Sequence, residues 1–213
     1  SPGDFGNRSG PTDSENRSGR GNSEDSSGPG DFEKRRGPAP FEARGLSMKL
    51  STLEAAIDAP EAPAVVVGAD VLDHAELATR VAGARARLRT MGLPTGARVG
   101  VVARPDLGSL LALSAIIEEG LVACALHPRW PADRRREMAE RVGVAAEVDP
   151  DEVARARPEA PRPAVPRSPE SDLAVFFTSG SSGPPKGVRL SLGAFEASAA
   201  ASARNLGWRP DDR

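Results

Sequence analysis

The sequence has a single cysteine and no long apolar stretch, and these two absences exclude several classes of protein. Cys124 cannot form an internal disulfide, and it lies in the apolar run "LVACAL", so we expect a buried side chain in a reducing compartment. No run of about 18 apolar residues occurs, and the first residues lack the pattern of a signal peptide. We therefore expect a cytoplasmic protein with no membrane partner.

An excess of positive charge is also missing. The chain has 28 Lys and Arg against 30 Asp and Glu, which gives a formal net charge of -2. Sequence-independent binding to nucleic acid requires clustered basic surface, so no nucleic-acid partner is expected. At 213 residues the chain can bury one sizeable core, or one domain with a tail, but not two large domains.

Residues 1–47 differ in composition from the rest of the chain. They are rich in Gly, Ser, Pro, Asp and Arg, and their few apolar side chains cannot offset the entropy of ordering the backbone. The short units "NRSG" and "PGDF" each occur twice, which is typical of low complexity. We predict a disordered tail over 1–47 and an ordered domain over 48–213. An interaction tail and a mis-assigned start codon both fit this composition.

From Met48 onwards, the pattern of apolar residues alternates between that of strands and that of helices. We predict a strand or tight strand pair at 64–72, strands at 98–103, 121–126, 144–148 and 172–177, and helices at 73–92, 107–120 and 131–143. Asp73 is the predicted N-cap of the first of these helices. The prolines of 150–171 predict a surface connector without regular structure.

This alternation predicts an α/β fold with a parallel sheet covered by helices on both faces. In such sheets, ligands bind in loops beyond the carboxyl ends of the strands. The stretch "FFTSGSSGPPKGV", residues 176–188, follows directly from the last predicted strand and leads into another apolar run. It is therefore the first candidate for a ligand-binding loop.

Two common loop motifs do not fit this stretch. The Walker phosphate loop fails because Pro185 stands where its second glycine is required, and Gly187 where Ser or Thr should follow Lys186. The Gly-x-Ser-x-Gly nucleophile motif fails because Gly180 and Gly183 are one residue too close. The histidines, His74 and His127, lie far upstream, and nothing marks either as a base for a serine.

The chemistry of the stretch nevertheless suits phosphate oxygens. Gly180 and Gly183 let backbone amides approach a ligand closely. Hydroxyl groups come from Thr178, Ser179, Ser181 and Ser182, and Lys186 adds a positive charge behind Pro184 and Pro185. The prolines limit the entropy lost when the loop closes on an anion.

The run "VFFTSGSSGPPKGV", matched from Val175 to Lys186, resembles the phosphate-binding signature of the adenylate-forming enzymes. These include acyl-CoA synthetases, peptide-synthetase adenylation domains and luciferases, and the resemblance extends over about 48–213. It implies that ATP and a small-molecule carboxylic acid form an acyl-adenylate, which a thiol, commonly coenzyme A, then attacks. By the same resemblance, the loop that orients the β- and γ-phosphates is Thr178, Ser179, Gly180, Ser181, Ser182 and Gly183. Lys186 would steady the leaving pyrophosphate, with Mg²⁺ bound alongside ATP.

Within this family, "LHPRWP" at 126–131 and "SAAASARNLGW" at 198–208 look most similar to o-succinylbenzoate-CoA ligases of menaquinone synthesis. A generic acyl- or aryl-CoA synthetase and a peptide-synthetase adenylation domain are alternatives. So are a non-catalytic remnant that binds phosphate or a partner, and a plain α/β domain with an incidental Ser/Gly loop.

The resemblance also implies that part of the family's site is missing from this sequence. The elements that hold Mg²⁺, ribose and adenine, and the mobile C-terminal domain, come later in the family and cannot be assigned within 48–213. We therefore expect a truncated N-terminal part that forms no acyl-CoA alone. Such an incomplete sheet would expose an apolar edge and associate into a homo-oligomer.

Overall fold

The computed structural model describes residues 51–178 and 185–207. The helices and strands follow in the order α1 (Thr52–Asp58), β1 (Pro63–Val67), β2 (Asp70–Asp73), α2 (His74–Arg89), β3 (Arg98–Val102), α3 (Leu107–Glu118), β4 (Val122–Leu126), α4 (Ala132–Arg141), β5 (Ala146–Val148), α5 (Pro150–Ala154), β6 (Asp172–Thr178), β7 (Lys186–Ser191) and α6 (Leu192–Leu206). The tail predicted for 1–47 lies outside the described residues. Among those described, no helix is both long and apolar enough to cross a membrane.

The strands form a two-stranded hairpin and a five-stranded sheet. The hairpin pairs β1 with β2, as the tight strand pair predicted at 64–72 requires, and the sheet has the order β5-β3-β4-β6-β7. β5, β3, β4 and β6 are parallel, as predicted, whereas β7 runs antiparallel to β6. Only seven residues join β6 to β7, and a parallel return needs about a dozen or more. The sheet is therefore mixed at this edge.

The outer strand β7 leaves part of the sheet uncovered among the described residues. Phe176 on β6 and Val188 on β7 are directly opposite each other, and their side chains are 41% and 40% exposed. Directly opposite residues of an antiparallel pair lie on the same face of the sheet. Two large apolar side chains are thus exposed side by side on one face of the sheet, among the described residues. The apolar edge and the self-association stay predictions.

Helices cover both faces of the sheet. On one face, the core combines sheet residues with apolar residues of α2 and α3: Val99, Val101, Ala123, Ala174, Val81, Leu88, Leu111 and Ile116. On the other face, Val122, Cys124 and Val175 pack against Val142, at the end of α4, and Val144. Cys124 is fully buried, as its apolar surroundings in the sequence predicted.

The prediction for 150–171 was wrong at its beginning, because residues 150–154 form the helix α5. The Asp149 carboxylate accepts the backbone N–H of Asp151 at 2.8 Å and caps the helix. Pro150 occupies the first turn, where a proline costs nothing because the N–H it lacks has no partner within the helix. Val153 is 3% exposed and joins the core beside α3, so burial supports the short helix. The remaining connector, 155–171, has no helix or strand.

Candidate functional site

Two neighbouring strands of the sheet, β4 and β6, end at its carboxyl edge. β4 and β6 are neighbouring parallel strands, with Ala123 paired to Ala174 and Cys124 to Val175. Their carboxyl ends, Leu126 and Thr178, therefore lie at the same edge. The loop 127–131 follows β4, and the stretch predicted to bind phosphate follows β6.

Thr178 and Lys186 are brought together by the antiparallel pairing of β6 with β7. They are directly opposite each other as the last pair of the ladder, and both side chains are exposed. In such a pair the Cβ atoms are about 4.5–5.5 Å apart on one face. A hydroxyl-bearing residue and a lysine thus lie next to each other where the β6–β7 hairpin opens into its connecting loop, which is called the hairpin mouth below. This pair is suitable for binding one anion.

The remaining predicted site residues are Ser179, Gly180, Ser181, Ser182 and Gly183, and all five lie outside the described residues. Their role stays a prediction. The structure does describe the residues on either side of this segment: Thr178 is the last residue of β6, and Pro185 directly precedes β7. Because Thr178 pairs with Lys186, these two flanking residues lie close together at one end of the β6–β7 pair.

A cluster of aromatic rings packs the loop after β4 against the end of β6. The ring of Trp130 meets that of Phe177 edge-on, at a centroid distance of 5.2 Å and an interplanar angle of 76°. The ring of His127 is also near that of Trp130, with 5.8 Å between ring centroids. Edge-to-face pairs of this kind stabilise by about 0.5–1.5 kcal/mol beyond the area they bury. The loop after β4 is thereby held against the residue that precedes Thr178.

Local hydrogen bonds give this loop its shape. The Trp130 N–H donates to the carbonyl of His127 at 3.1 Å, and the Arg129 N–H donates to Nδ1 of His127 at 3.1 Å. Arg135 of α4 donates from Nη1 to the Trp130 carbonyl at 2.8 Å. His127 is thus a turn-forming residue, in agreement with the absence of any sequence signal for a catalytic base. Trp130 was not among the site residues predicted from the sequence, although it lies two residues after Pro128, in the loop that follows β4.

An ion-pair network links β7 to β6 at the end of the β6–β7 hairpin away from Thr178. The Asp172 carboxylate accepts from Nε of Arg189 at 2.8 Å and from Nη2 at 2.9 Å, across the two strands. Arg98 of β3 lies 3.6 Å from the same carboxylate. Arg98 also donates from Nη1 to the carbonyl of Val142 at 2.7 Å, at the end of α4. One carboxylate therefore joins three strands, and Arg98 extends the network to a helix.

The loop after β3 offers a second cation at the carboxyl edge, but two carboxylates already neutralise it. Arg104 donates to Asp106 and to Asp151, each at 2.6 Å. Burial acts to raise the pKa of Asp106, but the Ser109 N–H, which donates to it at 2.7 Å, and the Arg104 guanidinium together hold that pKa below its usual range. Asp106 thus stays ionised and keeps Arg104 occupied. Lys186 is the better candidate for an anion contact.

The groups described at the open end of the β6–β7 hairpin are a hydroxyl and an ammonium group. Among the residues that the structure describes, no three His, Cys, Asp or Glu side chains come together as a possible metal site. Mg²⁺ usually keeps several waters and binds through substrate phosphates with one or two carboxylates. The described hydroxyl and ammonium groups therefore suit the oxygens of a phosphate.

The sequence is similar to those of known proteins. The family model described as "AMP-binding enzyme" matches residues 53–213. Indigoidine synthase of Streptomyces lavendulae is 31% identical over 154 residues, which cover 62% of this chain and 12% of the synthase. 2-Succinylbenzoate–CoA ligase of Bacillus cereus is 28% identical over 166 residues, which cover 72% of this chain and 34% of the ligase. The chain thus spans about a third or less of the length of these curated relatives.

Solved structures show the same fold. O-succinylbenzoate coenzyme A synthetase (MenE) of Bacillus subtilis, in complex with ATP and magnesium ion, aligns with a TM-score of 0.65 and 22% identity, over 76% of this chain and 48% of the synthetase. The nonribosomal peptide synthetase FmoA3 in its AMPPNP-bound form aligns with a TM-score of 0.62 and 22% identity, over 76% of this chain and 19% of FmoA3. The α/β sheet described above is therefore the N-terminal fold of adenylate-forming enzymes.

Proposed function

Because the chain belongs to the family of AMP-binding enzymes, we propose that it supplies the ATP-phosphate site of an enzyme that activates a carboxylic acid. The observation that carries this proposal is the pairing of Thr178 with Lys186 at the carboxyl edge of the sheet, on either side of the Ser/Gly run. This pairing supports the proposal because it brings one hydroxyl-bearing residue and one lysine next to each other. Enzymes catalyse substitution at phosphorus mainly by orienting the phosphate groups and by stabilising the negative charge on them.

The proposed reaction has two steps. A carboxylate oxygen of the acid forms a bond to the α-phosphorus of ATP, and the bond to the bridging oxygen breaks, so pyrophosphate leaves with the electron pair. The sulfur of a thiol then forms a bond to the acyl carbon, and AMP leaves while the thiol proton passes to solvent. Lys186 would stabilise the charge on pyrophosphate, and the Thr178 hydroxyl would donate to a phosphate oxygen. Mg²⁺, when bound with ATP, supplies further positive charge at the phosphates.

For the acid and the thiol, we propose an aromatic acid such as o-succinylbenzoate and coenzyme A, as in menaquinone synthesis. The support is the match with 2-succinylbenzoate–CoA ligase over 72% of this chain, together with the fold shared with o-succinylbenzoate coenzyme A synthetase. The second candidate is a peptide-synthetase adenylation domain. Its support is the fold shared with FmoA3 and the sequence similarity to a nonribosomal peptide synthetase of Aspergillus aculeatus. The acid of this second candidate would be an amino acid.

A nucleotide titration tests the phosphate site in this chain. Trp208→Phe leaves Trp130 as the single tryptophan, and its ring contacts the residue before Thr178, so its fluorescence reports on the hairpin mouth. Mg·ATP should change this fluorescence saturably, and Lys186→Ala should weaken binding about tenfold, or by about 1.4 kcal/mol. Arg204→Ala is the matched control, because it removes one exposed cation from the end of α6. Equal affinities of the two variants would eliminate Lys186 as a phosphate contact.

Pyrophosphate exchange tests the reaction. The protein encoded by the complete reading frame that contains this sequence is assayed for ATP–pyrophosphate exchange with o-succinylbenzoate, benzoates, fatty acids and amino acids. Exchange with o-succinylbenzoate, followed by thioester formation with coenzyme A, supports the first candidate, and exchange with an amino acid supports the second. No exchange with any acid, while Mg·ATP still binds, would instead indicate a non-catalytic phosphate-binding remnant.

A further inference from the structure

The residue after Lys186 is a glycine for which the fold leaves no room for a side chain. A Cβ atom on Gly187 would lie 2.6 Å from Cγ1 of Val142, 3.3 Å from Cγ1 of Val175 and 3.7 Å from Cε1 of Phe177. Gly187 lies within β7, opposite Phe177, so its backbone is extended and any residue could adopt it. Space, and not backbone conformation, is therefore the reason for glycine here.

Val142 cannot move away easily, because its backbone is held from both sides. Its carbonyl accepts Nη1 of Arg98 at 2.7 Å, and its N–H donates to the carbonyl of Met138 at 3.3 Å. Directly after it, Gly143 ends the helix with a φ of +66°. A valine side chain also has few accessible χ1 rotamers. The methyl group over Gly187 is thus a fixed support.

The same network fixes β7 just beyond this contact. Arg189 lies two residues after Gly187 and is paired with Asp172, which also faces Arg98. Arg98 in turn holds the Val142 carbonyl. The contacts therefore form a closed circuit around one face of β7, through a helix end, β3 and β6. The side chain of Lys186 projects from the opposite face, beside Thr178.

We infer that Gly187 and Val142 are positioning residues, which set the height of β7 and thereby place the Lys186 ammonium for phosphate. This inference rests on the proposed function, since Lys186 is taken to be the phosphate contact. A Cβ on Gly187 would have to move by at least about 0.8 Å to reach ordinary contact with Val142, for which 3.4 Å is the lower limit. Misplacing a catalytic or binding group by about 1 Å can cost up to about 100-fold.

The first test compares Mg·ATP affinities of the Trp208→Phe chain and its variants at about 10 °C, where each is confirmed by circular dichroism to be folded. Gly187→Ala should weaken binding by about fivefold to tenfold, the upper limit being the loss expected for Lys186→Ala. Gly187→Ala combined with Val142→Ala removes the obstructing methyl group and should restore binding to within about threefold of the parent. Parental affinity in Gly187→Ala, or no recovery in the double variant, would overturn the inference.

The rescue also separates positioning from stability. A glycine that mattered for folding alone would lower the unfolding temperature of Gly187→Ala and leave its low-temperature affinity unchanged. If Gly187→Ala does not fold, the double variant decides: folded protein with parental affinity supports the inference, and a double variant that is unfolded or weak in binding opposes it.

A second test measures the placement of residue 186 without any nucleotide. Thr178→Cys with Lys186→Cys puts two thiols at directly opposite positions, where a disulfide is geometrically accessible. Cys124 is fully buried and should not compete. Disulfide formation should be slowed severalfold by Gly187→Ala and restored by adding Val142→Ala. If disulfide formation follows this pattern but the chain binds no Mg·ATP, the proposed function is refuted while the role of Gly187 in placing residue 186 stands. Equal rates of disulfide formation in the two-cysteine chain, with Gly187→Ala added, and with both Gly187→Ala and Val142→Ala added would refute that role.

Discussion

Replacing Arg85 by Met should lower the free energy of unfolding by about 3 kcal/mol. Arg85 on α2 is 4% exposed, and its guanidinium donates to Glu118 at 3.2 Å and to Glu119 at 2.9 Å. It also donates to the carbonyls of Arg162 at 2.7 Å and Pro163 at 3.0 Å, and so fastens the connector that leads into β6. Removing one partner of a buried ion pair costs about 3–5 kcal/mol.

The lower end of that range applies because of two compensations. Glu118, which is 2% exposed, keeps two donors at Oε1, the N–H of Thr52 at 2.6 Å and its hydroxyl at 2.8 Å. A methionine also keeps the apolar contacts that the stem of an arginine makes. Arg85→Lys should be intermediate, since an ammonium retains the charge but cannot bridge four acceptors in the plane of a guanidinium.

Urea unfolding of the chain, followed by circular dichroism, measures this loss. Arg87→Met is the matched control on the same helix, because Arg87 is 55% exposed at the side chain and lies 3.7 Å from an exposed Glu152. An exposed pair of this kind contributes less than about 1 kcal/mol. If Arg85→Met were no more destabilising than Arg87→Met, the buried network could not be what holds the connector.

Two further predictions concern the core. Burial raises the pKa of the Cys124 thiol from 9.0 to about 11, so the thiol should react with a disulfide reagent at about pH 8 far more slowly in the folded chain than in urea. Because this pKa is higher in the folded state, the free energy of unfolding should fall as the pH rises from about 9 to about 11. Cys124→Ala should remove that part of the pH dependence. A folded thiol that reacts as fast as the unfolded one would contradict the burial. Leu111 is 1% exposed, and Leu111→Ala should lower the free energy of unfolding, measured in urea, by about 2–5 kcal/mol. Leu110 is half-buried, so Leu110→Ala should lower it clearly less. Equal losses for the two variants would mean that α3 packs through another face.

Sequence patterns predicted the longer elements because local interactions determine them. The helix over 73–92 appears as α2, and its predicted cap Asp73 accepts the N–H of Glu76 at 2.7 Å. The apolar run around Cys124 appears as the buried strand β4. Short elements escaped prediction. α5 has five residues, too few to show a helical repeat, and the prolines around it favoured irregular structure.

The alternation of strands and helices, and the hydroxyl- and glycine-rich run between a strand and Lys186, can be recognised in the sequence alone. Those properties depend on the spacing and chemistry of neighbouring residues. The pairing of Thr178 with Lys186, the contact of Trp130 with Phe177 and the position of Val142 over Gly187 follow instead from the three-dimensional arrangement of the strands and helices. Each of these contacts depends on the strand order β5-β3-β4-β6-β7 or on the short return from β6 to β7. Strand order results from competition among many long-range packings, and no local pattern encodes it.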